Sequence, residues 1–370
     1  MLVFKNLLRR RVRSALSILG VAVGIAAIIA FNAIGQGFKE SLSKYMRESG
    51  AELIVVDKTV QDHAFSRVGQ EEQQFLKALP EVEHLSRGTF TVASPQGLHI
   101  KAGMPWLPVF GRSPGERLLQ KYRPQLNGRL IENDGEILLG SIAANNLGLK
   151  VGDTFVLFER NLTVVGVYES GVSFETVGAV ASNSVVQAQL RMGDSIAMGF
   201  IYLRKGTDWK KVKTVVEAKY PHLAVFRTEE FGHFYKQIEY VDWFVWVISL
   251  ASVVVGGLGV ANTMLMAVAE RTREIGTLRA LGWSRGLVLR LVLAEGVLIS
   301  AAGGLLGLGI GTLGAEFLIR WAPHGFLDTR YSAGLVGEAF VVALALGFLG
   351  TLYPAWRASR LSPIEALRYE

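Results

Sequence analysis

The sequence predicts a membrane protein: a four-helix transmembrane bundle, one span followed by three, with a large α+β extracytoplasmic domain inserted between the first and second spans. Four runs of about 18 or more residues contain no Asp, Glu, Lys or Arg, the length and composition needed to cross a bilayer. Basic residues gather in three of the segments flanking those runs, which fixes an orientation. The roughly 200 residues between the first two runs carry β-branched strands and amphipathic helices. Half the residues are hydrophobic and only 19% are charged, below the roughly 25% usual for soluble domains, and the mean hydropathy is +0.31.

Residues 1–13, "MLVFKNLLRRRVR", form a basic segment expected in the cytoplasm, and residues 14–37 the first span. A basic start followed by an apolar run resembles a secretory signal. The run exceeds the 7–15 residues of a signal core, so an uncleaved anchor is expected. After Gly35 and Gly37, Phe38, Leu42, Tyr45 and Met46 keep helical spacing, so residues 38–50 should continue as a stalk helix. "FGHFYKQIEYVDWF" does the same before the second span, giving a stalk at 231–242.

Between the stalks, residues 51–230 make the α+β domain. "ELIVV" (Glu52 to Val56), "TFVLF" (Thr154 to Phe158) and "LTVVGVYES" (Leu162 to Ser170) have strand composition. "EEQQFLKALP" and "DWKKVKTVVEAKYP" are amphipathic helices stopped by Pro80 and Pro221. The chain has no cysteine, and a domain of this size can bury a core without disulfides.

The remaining spans are expected at 243–269, 296–315 and 339–356, with an external loop at 316–338 and a cytoplasmic tail at 357–370. The N-terminal segment, the 270–295 loop and the tail together hold 13 positive and 5 negative charges, a surplus of +8. The segment from Lys39 to Asp242 is neutral, with 24 of each sign, and the 316–338 loop carries −1. The whole net charge of +7 therefore sits on one side of the membrane. Both termini and the 270–295 loop are expected inside, and a pI near 9.5 is a topology signal that gives no support to nucleic-acid binding.

Within the spans, Gly20 and Gly24, and Gly303, Gly307 and Gly311, recur every fourth residue. Small residues at that spacing let helix backbones approach closely, in packing within one subunit or in a dimer seam. "GGLGV" and "GGLLGLGIG" follow no strand and lie inside apolar runs, so they are not phosphate-cradling loops. No G-x-x-x-x-G-K-[ST] occurs, which places any ATP chemistry on another chain. The spans hold no ionisable residue at depth of the kind ion-coupled carriers use. Asn32 and Asn262 are expected to be buried and to hydrogen-bond between helices, and Glu295 to sit at the cytoplasmic boundary. Six scattered histidines without an H-x-x-x-H pair suggest no metal site. No catalytic constellation appears, which leaves an enzyme reading last.

The most charge-dense segment, "AERTREIGTLRALGWSRGLVLRLVLAEG" from Ala269 to Gly296, lies between two spans. Its spacing predicts an amphipathic helix with Ile275, Leu278 and Leu281 on one side and Glu270, Arg273 and Glu274 elsewhere. Gly282 should end this helix and Ser284 cap the next. Arginines alone would anchor the loop to anionic lipid. Glutamates weaken such an anchor, so the mixed face of Glu270, Glu274 and Arg279 better suits docking to a protein. In the tail, Ser362 and Glu365 form an S-x-x-E capping box with Pro363 at the first position, predicting a short helix "PIEALRYE".

"VGGLGVANTMLMAVAERTREIGTLRALGWSRGLVLRLVLAEG", the glycine-rich span that follows and "PAWRASRLSPIEALRYE" resemble the FtsX-like permease domain of MacB-type ABC transporters, the type VII class. "GRLIENDGEILLGSIAANNLGLKVGDTFVLFERNLTVVGVYE" resembles the extracytoplasmic core domain of that class. The likeness covers nearly the whole chain, its R-E-I-G-x-x-[RK]-A-L-G pattern is specific, and only Gln61 to Arg112 offers little to recognise. The resemblance implies a stand-alone permease in the inner membrane without a fused ATPase domain. It implies a second permease copy, with a homodimer favoured, and two copies of an ABC ATPase that carry the ATP and Mg. This chain is then no enzyme and holds no cofactor. The resemblance further implies that Glu270, Arg271, Glu274, Arg279 and Gly282 lie on or beside the coupling helix that meets the ATPase. The sequence departs from the pattern at Trp283, where the family often has a small residue.

The function so implied is mechanotransmission: ATP hydrolysis on the partner changes the shape of the outer domain, which exports or extracts a cargo. Control of a cell-wall hydrolase, as in the division-linked branch, and extraction of lipoprotein or lipid are alternatives. An adaptor protein, an outer-membrane channel and the identity of the cargo stay open.

Overall fold

The structure is a computed structural model that describes residues 11–60, 66–94, 106–230, 236–321 and 329–362. The first ten residues and the tail helix expected from Pro363 lie outside the described residues, as does the start of the second stalk up to residue 235. The chain divides into two compact units. One takes the residues up to Gln36, Asp242–Leu318 and those from Thr329; the other is chiefly Gly37–Val241.

Helix α1, Arg11–Glu48, runs without interruption through the expected first span and stalk. In the second unit it leads into a ten-stranded sheet: β1 (Leu53–Asp57), β2 (Val82–Ala93), β3 (Leu107–Arg112), β4 (Leu126–Gly128), β5 (Glu136–Gly140), β6 (Thr154–Leu157), β7 (Arg160–Tyr168), β8 (Ala179–Ser182), β9 (Met198–Leu203) and β10 (Leu223–Arg227). The spatial order is β10-β1-β9-β2-β3-β8-β5-β7-β4, with β6 paired to β7. Only β3 with β8 and β5 with β7 are parallel.

Strand β2 holds the sheet together. Its Val82–Gly88 half pairs with β9 and its Thr89–Ala93 half with β3. The switch falls at Gly88, where a Cβ would lie 2.7 Å from the Phe200 ring. Helices α2 (Gln70–Ala78) and α4 (Trp209–Lys219) pack on the β10-β1-β9 side through Leu76, Val212 and Val216. Helix α3 (Asn183–Leu190) adds Val186 to a second core with Val109, Ile137 and Val164. As expected, α2 stops before Pro80, whose preceding residue Leu79 is extended. Asp208 caps α4 by accepting from the Lys210 amide at 3.0 Å.

Several strand boundaries differ from the sequence expectation, most of all around β6 and β7. The run Thr154–Phe158 ends one residue early, because Phe158 and Glu159 both take positive φ, 54° and 58°. They form the two-residue turn that joins β6 to β7, a conformation that normally calls for Asn or Gly. The next strand therefore begins at Arg160, not Leu162, and ends at Tyr168.

A third core joins the α1 residues Tyr45 and Met46 to Phe110, Tyr122, Tyr168 and Phe200. It encloses a charged cluster around Glu175, whose side chain is fully buried. Lys121 Nζ lies 2.6 Å from Glu175 Oε1, the Tyr122 hydroxyl donates to the same oxygen at 2.7 Å and Ser170 Oγ donates to Oε2 at 2.8 Å. Burial pulls the Lys121 ammonium below the usual lysine range, against the pull of Glu175. Burial, then the Glu175 charge, pushes the Tyr122 and Tyr168 phenols well up, so both remain neutral donors.

In the first unit, α5 (Lys236–Glu270), α6 (Thr272–Ala280), α7 (Arg285–Trp321) and α8 (Ala333–Ser359) complete the bundle. With α1, four helices are long and apolar enough to cross a membrane. Helix α7 lies against α1 through its glycine stripe. A Cβ on Gly303, Gly307 or Gly311 would sit 2.9, 2.7 or 2.8 Å from the carbonyl oxygens of Ile18, Ala22 and Ala26, which recur with the same four-residue period. Helices α7 and α8 meet at Gly296 against Thr351 and at Gly347 against Ser300. A Cβ on Gly24 would lie 3.2 Å from the Ser252 carbonyl oxygen of α5, while Gly20 has open space where its side chain would be. Close backbone approach of this kind replaces the hydrophobic drive that lipid removes.

Neither asparagine joins two helices. Asn32 donates to the Ile28 carbonyl of its own helix at 2.8 Å, the amide finding its partner one turn back, and Asn262 is exposed on α5. Replacing Gly307 by Ala should destabilise the full chain in detergent by about 1–3 kcal/mol, the usual effect of overpacking. Gly309→Ala, where the structure leaves room, should stay within about 0.5 kcal/mol of wild type. Thermal melting of the two variants side by side reads the difference.

Candidate functional site

The site is the short turn and helix between α5 and α7. Helix α5 tightens at its end, the Arg271 amide donating to the Val268 carbonyl at 3.1 Å. Arg271 leaves helical geometry (φ −107°, ψ 12°). Helix α6 restarts at Thr272, the Ile275 amide closing onto the Arg271 carbonyl at 2.9 Å. Its inward face is Ile275 and Gly276, both buried.

Helix α6 stops with two linked bonds. The Gly282 amide donates to the Arg279 carbonyl and the Trp283 amide to the Leu278 carbonyl, each at 3.1 Å, with Gly282 in the left-handed region at φ 94°. This is the pairing of a Schellman stop. Ser284 then starts α7, its Oγ accepting from the Leu287 amide at 3.3 Å. The Trp283 ring, the departure from the family pattern, packs half-buried against the bundle core.

The five charged or turn-forming residues expected here do not form one surface. Glu270 and Glu274 are exposed, with Arg273 beside them. Arg271 turns inward instead. Its Nη1 donates to both oxygens of Glu295 at 2.9 and 2.8 Å, and the two side chains are only 16% and 6% exposed. Arg279 folds back over the turn and donates to the Trp283 carbonyl at 2.8 Å. Leu281, expected on the apolar side, is 75% exposed, because the left-handed residue after it swings the chain off the helix before its side chain can reach the core.

Glu295 is buried on α7 and anchors the loop from 24 positions away in sequence. The readable signal was its chemistry. A carboxylate at the entry of an otherwise uncharged span requires a cation, and five arginines lay within reach in the same loop.

The ion pair makes a prediction. Arg271→Met should destabilise the chain by about 3–5 kcal/mol by stranding Glu295, whereas the double variant Arg271→Met/Glu295→Met should recover most of that loss. Thermal melting of the purified chain in lipid nanodiscs gives the comparison, with Arg273→Ala as an exposed control.

Residues 14–219 match the MacB-like periplasmic core domain and residues 246–363 the FtsX-like permease C-terminal domain. The macrolide export ATP-binding/permease protein MacB of Bdellovibrio bacteriovorus is 28% identical over 99% of this chain and 61% of its own length. An uncharacterized ABC transporter permease of Methanocaldococcus jannaschii is 25% identical over 99% of this chain and 96% of its own. The lipoprotein-releasing system transmembrane protein LolC of Xylella fastidiosa is 25% identical over 96% and 94%. The chain spans about three fifths of the length of the macrolide-export relatives it matches. With the first domain match covering more than half of its residues and the second most of the remainder, the chain belongs to the MacB/FtsX family of multi-pass ABC-transporter permeases.

Proposed function

We propose that this chain is the membrane subunit through which a separate ABC ATPase drives the inserted domain to export or extract a cargo outside the membrane. The observation that carries the reading is the build of the α6 loop. One face is fixed to the bundle by Ile275, Gly276 and the Arg271–Glu295 pair, and the other offers Glu270, Arg273 and Glu274 to a partner. A lever needs both properties. A charged face on a floppy loop would dissipate the push, and a rigid loop without charges would have nothing to read.

In this reading Glu270, Glu274 and Arg273 meet the ATPase, while Arg271, Arg279 and Gly282 hold the shape that receives it. ATP and Mg sit on two copies of that partner, whose closing biases one of two packed arrangements of the permease. The termini and the loop face the cytoplasm, as the surplus of basic residues there supports. A second permease copy completes the assembly. The apolar face that α5 leaves exposed at Trp246, Leu250, Val254 and Leu258 supports that reading.

Release of a lipid-linked cargo is a second reading, favoured by the LolC relative, which matches this chain along nearly the full length of both. It shares the coupling device and differs only in what the inserted domain handles.

The test is ATP hydrolysis by a candidate ATPase reconstituted with this chain in nanodiscs. Arg273→Ala/Glu274→Ala should weaken ATPase binding roughly tenfold, about 1.4 kcal/mol, and abolish the dependence of hydrolysis on the permease while leaving the melting temperature unchanged. Undiminished coupling in that double variant would sink the assignment of this face.

A further inference from the structure

The second unit contains a cavity of ≈ 260 Å³ that the coupling reading leaves unused. Ser41, Leu42 and Met46 of α1 line one side; Phe90, Trp106 and Phe200 line the other. The volume exceeds the ~150 Å³ of an apolar cavity that takes up benzene. Its walls are mostly apolar, and Arg112 is the one charged side chain among the residues that line it.

Arg112 is 1% exposed. Its Nη1 donates to the Gly111 carbonyl at 2.8 Å and its Nη2 to the Tyr45 hydroxyl. The guanidinium lies 5.6 Å from the centre of the Phe110 ring and 5.8 Å from that of Phe200. Its Nε has no hydrogen-bond partner among the described residues, and no carboxylate there forms an ion pair with it. The nearby Glu175 is occupied by Lys121, Tyr122 and Ser170. Two buried cations thus share one buried anion. A charged donor left without an acceptor in an apolar setting is destabilising, and a ligand bringing one negative charge would relieve it.

We infer that this cavity binds a single-chain amphiphile with a monoanionic carboxylate head, the chain lying among Leu42, Met46 and Phe200 and the head accepting from Arg112 Nε. One open donor and a surplus of one positive charge specify a carboxylate over a dianionic phosphate. The apolar walls exclude a small polar anion. The inference does not rest on ATPase coupling, so its test uses the permease without any ATPase.

Labelled decanoate is equilibrated with the full chain in lipid nanodiscs, and uptake by empty nanodiscs is subtracted. One saturable site per chain is expected. Decanol and decyl phosphate should compete at least tenfold more weakly than unlabelled decanoate, and decyltrimethylammonium not at all. Ser41→Phe, which fills the cavity, and Arg112→Gln, which removes the charge, should each lower affinity tenfold or more. Should Arg112→Gln fail to fold, the head-group comparison on the wild type reads the same interaction. The assignment is overturned by absence of saturable uptake, by decanol or decyl phosphate competing as well as decanoate, or by Ser41→Phe leaving uptake unchanged at an unaltered melting temperature.

Discussion

The arrangement of the membrane-side loop depends on one buried ion pair, Arg271 with Glu295. Neither partner can be removed alone without leaving a desolvated charge. The pair is also geometrically strict, since one guanidinium nitrogen reaches both carboxylate oxygens. It pins the break between α5 and α6 to a point well inside α7. The direction of α6, the placement of its buried Ile275 and the exposure of Glu270 and Glu274 all follow from that anchor. Arg279 repeats the device on a smaller scale by holding the carbonyl of Trp283. Two of the five arginines in the loop thus serve its shape.

The inserted domain solves a related problem differently. Its buried carboxylate, Glu175, is surrounded by Lys121, Tyr122 and Ser170, so its charge is spread over several short hydrogen bonds. Tyr45 of α1 reaches the neighbouring Arg112, which ties the end of that helix into the same core. Polar networks of this kind stabilise only when complete, and Arg112, whose Nε has no hydrogen-bond partner among the described residues, lines the cavity.

Much of this was legible in the sequence, for physical reasons that differ by element. The spans announce themselves because a bilayer tolerates no charge over about 20 residues. The stop at Gly282 and the cap at Ser284 were readable because each depends on one residue type in one place. The α2 and α4 helices were readable from period and proline. What sequence could not show was pairing at a distance: Arg271 with Glu295, Arg112 with Tyr45, and the glycine stripe of α7 choosing the carbonyls of Ile18, Ala22 and Ala26 over another subunit. Strands β2 and β3 fall largely in the stretch that offered little to recognise, yet they are central to the sheet. Their burial comes from neighbours on both sides, not from local alternation. The β6–β7 turn was missed because Phe158 and Glu159 occupy positive-φ positions that local chemistry disfavours and the surrounding sheet enforces.

The position of β1 has a consequence for synthesis. Its two neighbours in the sheet, β9 and β10, both follow it by about 150 residues or more, and β2 waits nearly as long for β9. At roughly 5–20 residues per second, β1 is made about 7 to 30 s before either neighbour exists. Throughout that interval a strand of Leu53, Ile54, Val55 and Val56 has no native partner, and such edges pair with whatever extended chain is nearest. The order of the chain thus leaves the nascent domain with an unpaired apolar strand for as long as it takes to reach Leu203.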